Sequence, residues 1–396
     1  MLLGCSKPPD RGSGISAYTR DLGYALRGHG IEVHYVAPAP TDQSWAESNG
    51  IFFVPVDPAA DQVAEVSRLV AYVRKHDIDG VINNDNPVVQ NAIPFLSCPV
   101  SVVCHCNETT IFSLAGHNWE YASHVVALSS DMQVLLARRF GIPPSSCPIV
   151  YGSTDDRGAD LGPRPNGNRP LRVIVGSDFG RLKGGDILAR QFSELDSLPD
   201  GVEAHWFGRM PDNVRHRLSG NPRVFVHGRV PREDFLADLR LGDIFLMPSK
   251  SEGCPIALLE AMSFGLVPIV SDGKGAMRWI VRNGHNGFVC RLSNWAKESR
   301  ECLHALKADA DRLASMRQAA RSTFLESYQS DRLAEEHLRL LSQAGSRTKQ
   351  AANSATIVQW HRGARPGLLR SRIDRFCYRY GLLRTVGQLR WEAIEG

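Results

Sequence analysis

The sequence predicts an α/β protein built from two doubly wound, Rossmann-like domains. Three observations carry that reading. Short apolar runs alternate with amphipathic helical patterns in the first 150 residues, and a second such series runs from 171 to 292. Between them lies GSTDDRGADLGPRPNGNRP (152–170), whose Gly, Pro, Asp and Asn content marks a linker. A chain of 396 residues is also long enough for two domains with good cores. The expected organisation is an N-terminal domain over 1–160, a C-terminal domain over 161–345, a cleft between them, and a distinct tail over 346–396.

In the first domain, IEVHYVAP, GIFFVPV, DGVINN, PVSVVCH and HVVALS read as strands. ISAYTRDLGYALRGHG and AADQVAEVSRLVAYVRKHD read as helices between them. The first helix opens on a glycine loop. Gly12-Ser13-Gly14-Ile15-Ser16-Ala17 fits the G-x-G-x-x-A dinucleotide pattern, but Pro8, Pro9 and Asp10 separate it from the first strand, where that pattern wants a tight turn. Asn84, Asp85 and Asn86 form a polar loop after a strand; they either face an acceptor or cap the next helix. His105 ends PVSVVCH, at the sheet edge where open α/β folds bind ligands. A core histidine bonded to a carbonyl is the other reading. Ser129 is placed to cap the helix that follows HVVALS.

In the second domain, LRVIVGS, VEAHWFG, RVFVHG, DIFLMPS, LVPIVSD and GFVCRL read as strands, and helices are expected over 294–344. After LRVIVGS, the glycines Gly176, Gly180, Gly184 and Gly185 permit close backbone approach, and Arg181 and Lys183 bring two positive charges to a strand-to-helix junction. After DIFLMPS, Glu252-Gly253-Cys254 forms a turn, Pro255 suits the first helical position, and Gly265 ends the helix. The backbone N–H groups of Ile256, Ala257 and Leu258 suit a phosphate. Glu260 lies among Ile256, Leu258, Leu259, Met262 and Phe264. A carboxylate there is costly to bury unless it accepts hydrogen bonds, and vicinal ribose hydroxyls would supply two.

Composition narrows the class. A hydrophobic fraction of 43% and a charged fraction of 22% are ordinary for a soluble globular protein. MLLGCSKPPD is too quickly broken by proline for a signal peptide, and no run approaches membrane-spanning length. Nine scattered cysteines without a C-x-x-C pair point to reduced thiols in a cytoplasmic protein, and no zinc-like cluster appears. The net charge of +4 resides in the tail, where 346–396 carries ten Lys and Arg against three Asp and Glu. GLLRSRIDRFCYRYGLLRTVGQLRWEAI is a basic amphipathic segment suited either to an anionic membrane surface or to packing back on the first domain. No nucleic-acid-binding module accompanies it, so nucleic acid is not an expected partner.

Glu252 to Glu260, set between DIFLMPS and AMSFGLVPIVSD, resembles the E-x7-E signature of retaining glycosyltransferases with the GT-B fold, glycosyltransferase family four. The resemblance implies transfer from a nucleotide-sugar donor, UDP-sugar favoured and GDP-sugar possible, to a saccharide, lipid-linked or small-molecule acceptor. It implies Glu252 beside the donor sugar and Glu260 on the ribose, with Gly253, Cys254 and the helix start between them. Lys183 carries over to the diphosphate. Arg181 stands closer to it than the family's usual spacing. By the same resemblance, Gly12 and Gly14 approach the donor, His105 contacts the sugar, and the backbone at Arg229 and Val230 holds the nucleobase. Tyr151 stands where the family often has asparagine, and Asp155 closes that pattern. No metal and no cofactor beyond the co-substrate are implied. The alternatives are a NAD-dependent oxidoreductase, resting on Gly12–Ala17, and a catalytically inactive sugar-nucleotide-binding protein.

Overall fold

The computed structural model describes residues 1–7, 14–38, 48–58, 60–106, 109–160 and 169–344. The chain forms two compact units. Among the described residues, one comprises Met1–Tyr151 together with 333–344, and the other Gly152–Arg332.

The first unit is a six-stranded parallel sheet of β1 (Leu2–Gly4), β2 (His34–Ala37), β3 (Phe52–Pro55), β4 (Val81–Asn83), β5 (Val100–Cys104) and β6 (His124–Ala127), in the order β3-β2-β1-β4-β5-β6. Leu3 of β1 pairs with Tyr35 on one side and Ile82 on the other. The central strands are buried on both faces, which is why they read as apolar runs instead of alternating ones. The helices are α1 (Gly14–Gly28), α2 (Gln62–Lys75), α3 (Pro87–Ala92), α4 (Thr109–Gly116) and α5 (Ser130–Phe140). In α2, Val66, Leu69, Val70 and Val73 form one buried stripe, and Asp61 caps the start by accepting from the Val63 N–H at 2.9 Å. Ser129 caps α5 as its sequence suggests, accepting from Met132 N–H at 3.2 Å, and Gly141 ends it at φ 69°.

The second unit repeats the plan. Its strands are β7 (Leu171–Gly176), β8 (Val202–Phe207), β9 (Val224–Gly228), β10 (Ile244–Met247), β11 (Val267–Ser271) and β12 (Phe288–Cys290), in the order β12-β11-β10-β7-β8-β9. The helices are α6 (Gly185–Phe192), α7 (Asp212–Leu218), α8 (Arg232–Leu241), α9 (Ile256–Ser263), α10 (Met277–Ile280), α11 (Trp295–Ala308) and α12 (Ala310–Ser327). Buried Trp206, Phe192 and Trp295 anchor the core, and the Trp295 indole N–H is satisfied by Gln191 Oε1 at 3.1 Å. In both sheets the strand order reverses between the first and fourth strands. Open parallel sheets bind ligands at the carboxyl ends of the strands flanking that reversal.

The unit boundary differs from the expected one. The break falls at Tyr151/Gly152, not near 160, and 333–344 returns to the first unit within the last described helix, α13 (Ser330–Gln343). The physical reason is the company kept by 152–156. Thr154 N–H donates to Tyr328 O at 3.1 Å, Ser330 Oγ donates to Asp155 Oδ1 at 2.5 Å, and the Arg321 guanidinium forks onto Asp156. Linker composition marks a turn in the chain but not which unit the turn packs on.

Candidate functional site

In the second unit, the reversal lies between β7 and β10, so the loops that follow these strands are neighbours. They are tied directly by a hydrogen bond from Lys250 N–H to Leu182 O at 2.7 Å. Gly184, at φ 70°, sits where a Cβ would collide with the Pro248 carbonyl oxygen. A third loop, after β11, braces the second. Lys274 N–H donates to Lys250 O and Glu252 N–H donates to Lys274 O, both at 3.0 Å, while Ala276 N–H reaches Gly253 O, also at 3.0 Å. Gly275, at φ 109°, passes so close that any Cβ would overlap the Glu252 carbonyl oxygen.

This frame brings Lys183 and Glu252 together. Lys183 Nζ donates to Glu252 Oε2 at 2.6 Å across 69 residues of sequence. The Glu252 side chain is 7% exposed, whereas that of Lys183 is 45% exposed. The other carboxylate oxygen, Oε1, is buried and has no hydrogen-bond partner among the described residues. A buried acceptor left so costs about 1–3 kcal/mol, a cost that a ligand hydroxyl would remove. The Arg181 side chain is exposed. Gly180 faces open space, but Gly185 packs on the Gly180 backbone and Gly176 on the Phe235 ring.

The helix after Glu252 differs slightly from expectation. Pro255 is the residue before the first turn, with ψ 107°, and α9 begins at Ile256. Leu258 N–H is not available for a phosphate, because it donates to Pro255 O at 3.0 Å in a tight first turn. Among the described residues no acceptor meets the N–H groups of Ile256 and Ala257, which leaves two donors instead of three. The Cys254 thiol turns towards Gly152 O, and burial pushes it up to about 12, so it is a neutral thiol at pH 7.

Glu260 is nearly inaccessible, and it is not alone. Arg232, the first residue of α8, forms an ion pair with it, with side-chain exposures of 24% and 3% respectively. Arg232 lies three residues beyond Arg229, so the loop expected to hold a nucleobase leads directly to the carboxylate expected to hold a ribose. Arg229 is exposed and Val230 partly buried. The loops after β7 and β8 are stitched alongside. Arg209 grips Asp178 through Nη2 at 2.7 Å and Nε at 3.0 Å. Burial alone would raise the Asp178 carboxyl, but the Arg209 hydrogen bonds and charge, with Arg229 adding, hold it below the usual range.

The first unit carries the remaining sequence-predicted residues. Gly14 begins α1 and is exposed; Gly12 lies outside the described residues, as does the 346–396 tail. Asp85 and Asn86 of the polar loop after β4 are committed within the unit. Asn86 caps α3, its Oδ1 accepting from Val88 N–H at 2.9 Å and Val89 N–H at 3.1 Å, and its Nδ2 donates to Cys5 O. Asp85 accepts from Ser6 N–H at 2.6 Å and Ser6 Oγ at 2.5 Å, while burial raises its carboxyl above the usual value. Of the three, Asn86 follows the capping alternative. His105 follows β5 directly, and its Nε2–H donates to Asn84 Oδ1 at 2.9 Å. Burial, with His337 adding, pulls the imidazole down to about 3, so it is neutral at pH 7 with Nδ1 left as an acceptor.

Sequence reasoning missed Arg232, Gly275, Tyr18 and His337. Only Gly275 left a signal: two glycines flank Lys274 immediately after a buried strand. Among the described residues there is no group of His, Cys, Asp and Glu arranged to hold a metal, no helix is long and apolar enough to cross a membrane, and the eight cysteines are free thiols.

A doubly wound sheet of this kind belongs to the class of α/β proteins that bind ligands at the strand reversal. Comparison with known proteins narrows the class. The family model described as Glycosyltransferase Family 4 matches residues 12–157, and that described as Glycosyl transferases group 1 matches residues 169–309. The chain belongs to the group 1, family-four glycosyltransferases, and its fold is GT-B.

Among curated relatives, the Escherichia coli UDP-Gal:alpha-D-GlcNAc-diphosphoundecaprenol alpha-1,3-galactosyltransferase is 41% identical over 111 residues, 27% of this chain and 28% of the relative. The Campylobacter jejuni N,N'-diacetylbacillosaminyl-diphospho-undecaprenol alpha-1,3-N-acetylgalactosaminyltransferase is 30% identical over 115 residues, 29% of this chain and 30% of the relative. The matches thus span less than a third of each relative's length. Among solved structures, Anabaena Alr3699/HepE in complex with UDP superposes with a TM-score of 0.69 at 17% identity, over 86% of this chain and 99% of that one.

Proposed function

We propose that this protein is a glycosyltransferase that moves a sugar from a nucleotide-sugar donor, most favourably a UDP-sugar, to a saccharide, lipid-linked or small-molecule acceptor with retention of anomeric configuration. One observation carries the reading: Glu252 is buried at the strand reversal with one oxygen on Lys183 and the other unsatisfied. A sugar hydroxyl completes the carboxylate, and a diphosphate competes for the lysine. The names of the Escherichia coli and Campylobacter relatives, and the UDP held by Alr3699/HepE, support the donor class and a lipid-linked acceptor.

The residues divide the work as follows. Lys183, with Arg181 and the Ile256 and Ala257 N–H groups, compensates the charge that develops on the departing diphosphate. Glu260, aligned by Arg232, accepts from the ribose hydroxyls. Glu252 orients the sugar, and the free Nδ1 of His105 accepts from a sugar hydroxyl. In the proposed step the bond from the anomeric carbon to the diphosphate oxygen breaks, and the acceptor oxygen bonds to that carbon on the same face. The leaving phosphate oxygen takes the acceptor proton. The proposed setting is cytoplasmic.

The test is a thermal-shift screen with UDP-, GDP- and dTDP-sugars, followed by product analysis by NMR. A ligand that binds the folded state raises its melting temperature. UDP-sugars should give the largest shift and the product should keep the donor's anomeric configuration. No shift with any donor refutes the nucleotide-sugar reading, and an inverted product refutes retention.

A further inference from the structure

We propose that Tyr18 and His337 are positioning residues that fix the orientation of the His105 ring; this rests on the reading of His105 as a donor-sugar contact. An imidazole on a strand end turns about two bonds. The Asn84 hydrogen bond pins one end of the ring at Nε2 but leaves it free to rock about the line from Cβ to Nε2. The Tyr18 ring closes that freedom. It meets His105 edge to face, with centroids 4.7 Å apart and planes at 87°.

Tyr18 is itself held. Its phenol oxygen shares a hydrogen bond with His337 Nε2 at 3.0 Å, across 319 residues of sequence. Tyr18 is 1% exposed and His337 0%, so neither can exchange its partner for water. Burial, with His124 adding, pulls His337 down to about 4, so the contact with Tyr18 is between neutral groups at pH 7. Tyr18 comes from α1, behind the glycine loop, and His337 from α13, the last described helix. The seating of α13 is thereby registered at His105. Outer partners that orient a functional histidine typically carry about 10- to 100-fold of activity, so about tenfold is expected here.

The experiment uses the full chain labelled with 15N-histidine, as wild type and as Tyr18→Phe, His337→Leu, His337→Gln and His105→Ala. His105 ring signals are followed by NMR, and nucleotide release is measured from the fastest-reacting member of a UDP-, GDP- and dTDP-sugar panel. Tyr18→Phe and His337→Leu should broaden or shift the His105 ring signals and lower kcat about tenfold, with donor KM and UDP affinity within about twofold. His337→Gln retains an amide that reaches the Tyr18 hydroxyl and should recover most of kcat. In the His105→Ala background neither substitution should have further effect. Unchanged His105 signals in Tyr18→Phe, or an equal loss of kcat persisting in His105→Ala, overturns the proposal. Tyr18→Phe removes a single oxygen, so it carries the test if His337→Leu fails to fold. Full activity of His105→Ala instead overturns the sugar-contact reading, and the ring signals test the positioning even if no panel donor reacts.

Discussion

Replacing Arg232 with methionine should destabilise the protein more than replacing its partner, Glu260, with glutamine. The asymmetry follows from exposure. Glu260 is 3% exposed, so without Arg232 a carboxylate is stranded away from water. Breaking a buried pair in that way costs about 3–5 kcal/mol, and the 24% exposure of Arg232 places this pair at the lower end, about 3 kcal/mol. Glu260→Gln leaves a guanidinium that still has solvent on one side and an amide oxygen to donate to, at a cost of about 1 kcal/mol. For a unit of this size, about 3 kcal/mol corresponds to a fall in melting temperature of about 6–12 °C. The assay is thermal unfolding of both single variants and the double variant, with UDP affinity by calorimetry. Arg232→Met should also weaken UDP binding about tenfold, because the carboxylate that accepts from the ribose loses its alignment. The double variant should be more stable than Arg232→Met, because it no longer buries a charge that has lost its guanidinium. If Arg232→Met melts within 2 °C of wild type, or Glu260→Gln proves the more damaging change, the ion pair does not hold Glu260 as argued.

Other outcomes follow from the same geometry. Lys183→Ala should lower turnover at least about a hundredfold, the scale of losing one charge-stabilising donor; a near-normal rate of nucleotide release would place the diphosphate elsewhere. Gly275→Ala forces a Cβ into the Glu252 carbonyl oxygen at φ 109°, so transfer should be lost and stability should fall by about 3 kcal/mol or more, and an unaltered melting curve would contradict the close approach. Acid should destabilise the fold through His105 and His337, whose folded values of about 3 and about 4 lie below the ordinary 6.5. The unfolded chain binds more protons in that window, so stability is full above about pH 6.5 and is lost as pH falls towards 4, by up to about 1.4 kcal/mol per unit for each histidine. His34, His205 and His227 are lowered by burial as well and add to the slope. Urea unfolding at pH 7, 6 and 5 measures it, His337→Gln should reduce it, and equal stability at pH 7 and 5 would refute it.

The local signals in the chain were strong. Each strand of the second sheet falls inside a run legible without the structure, and β10 and β11 read as unbroken apolar runs because they are buried on both faces. The Glu252–Glu260 loop and helix could be placed for the same reason: a turn glycine, a proline and an apolar helix all act within a few residues. Even there, the tight first turn that engages Leu258 N–H lay below what residue types resolve.

By itself, then, the sequence determined the α/β plan, the family, and the loops that carry Lys183, Glu252 and His105. Tertiary structure alone decided what those side chains touch. Lys183 meets Glu252 because parallel crossovers bring the first and fourth strands of the sheet side by side. Glu260 meets Arg232 because the helix after β9 passes the helix after β10. Tyr18 meets His337 because the last described helix returns to the first unit. Each partner lies tens to hundreds of residues away, and no local period encodes such a distance. Pairing is set by strand order and packing, which exist only once the chain has folded.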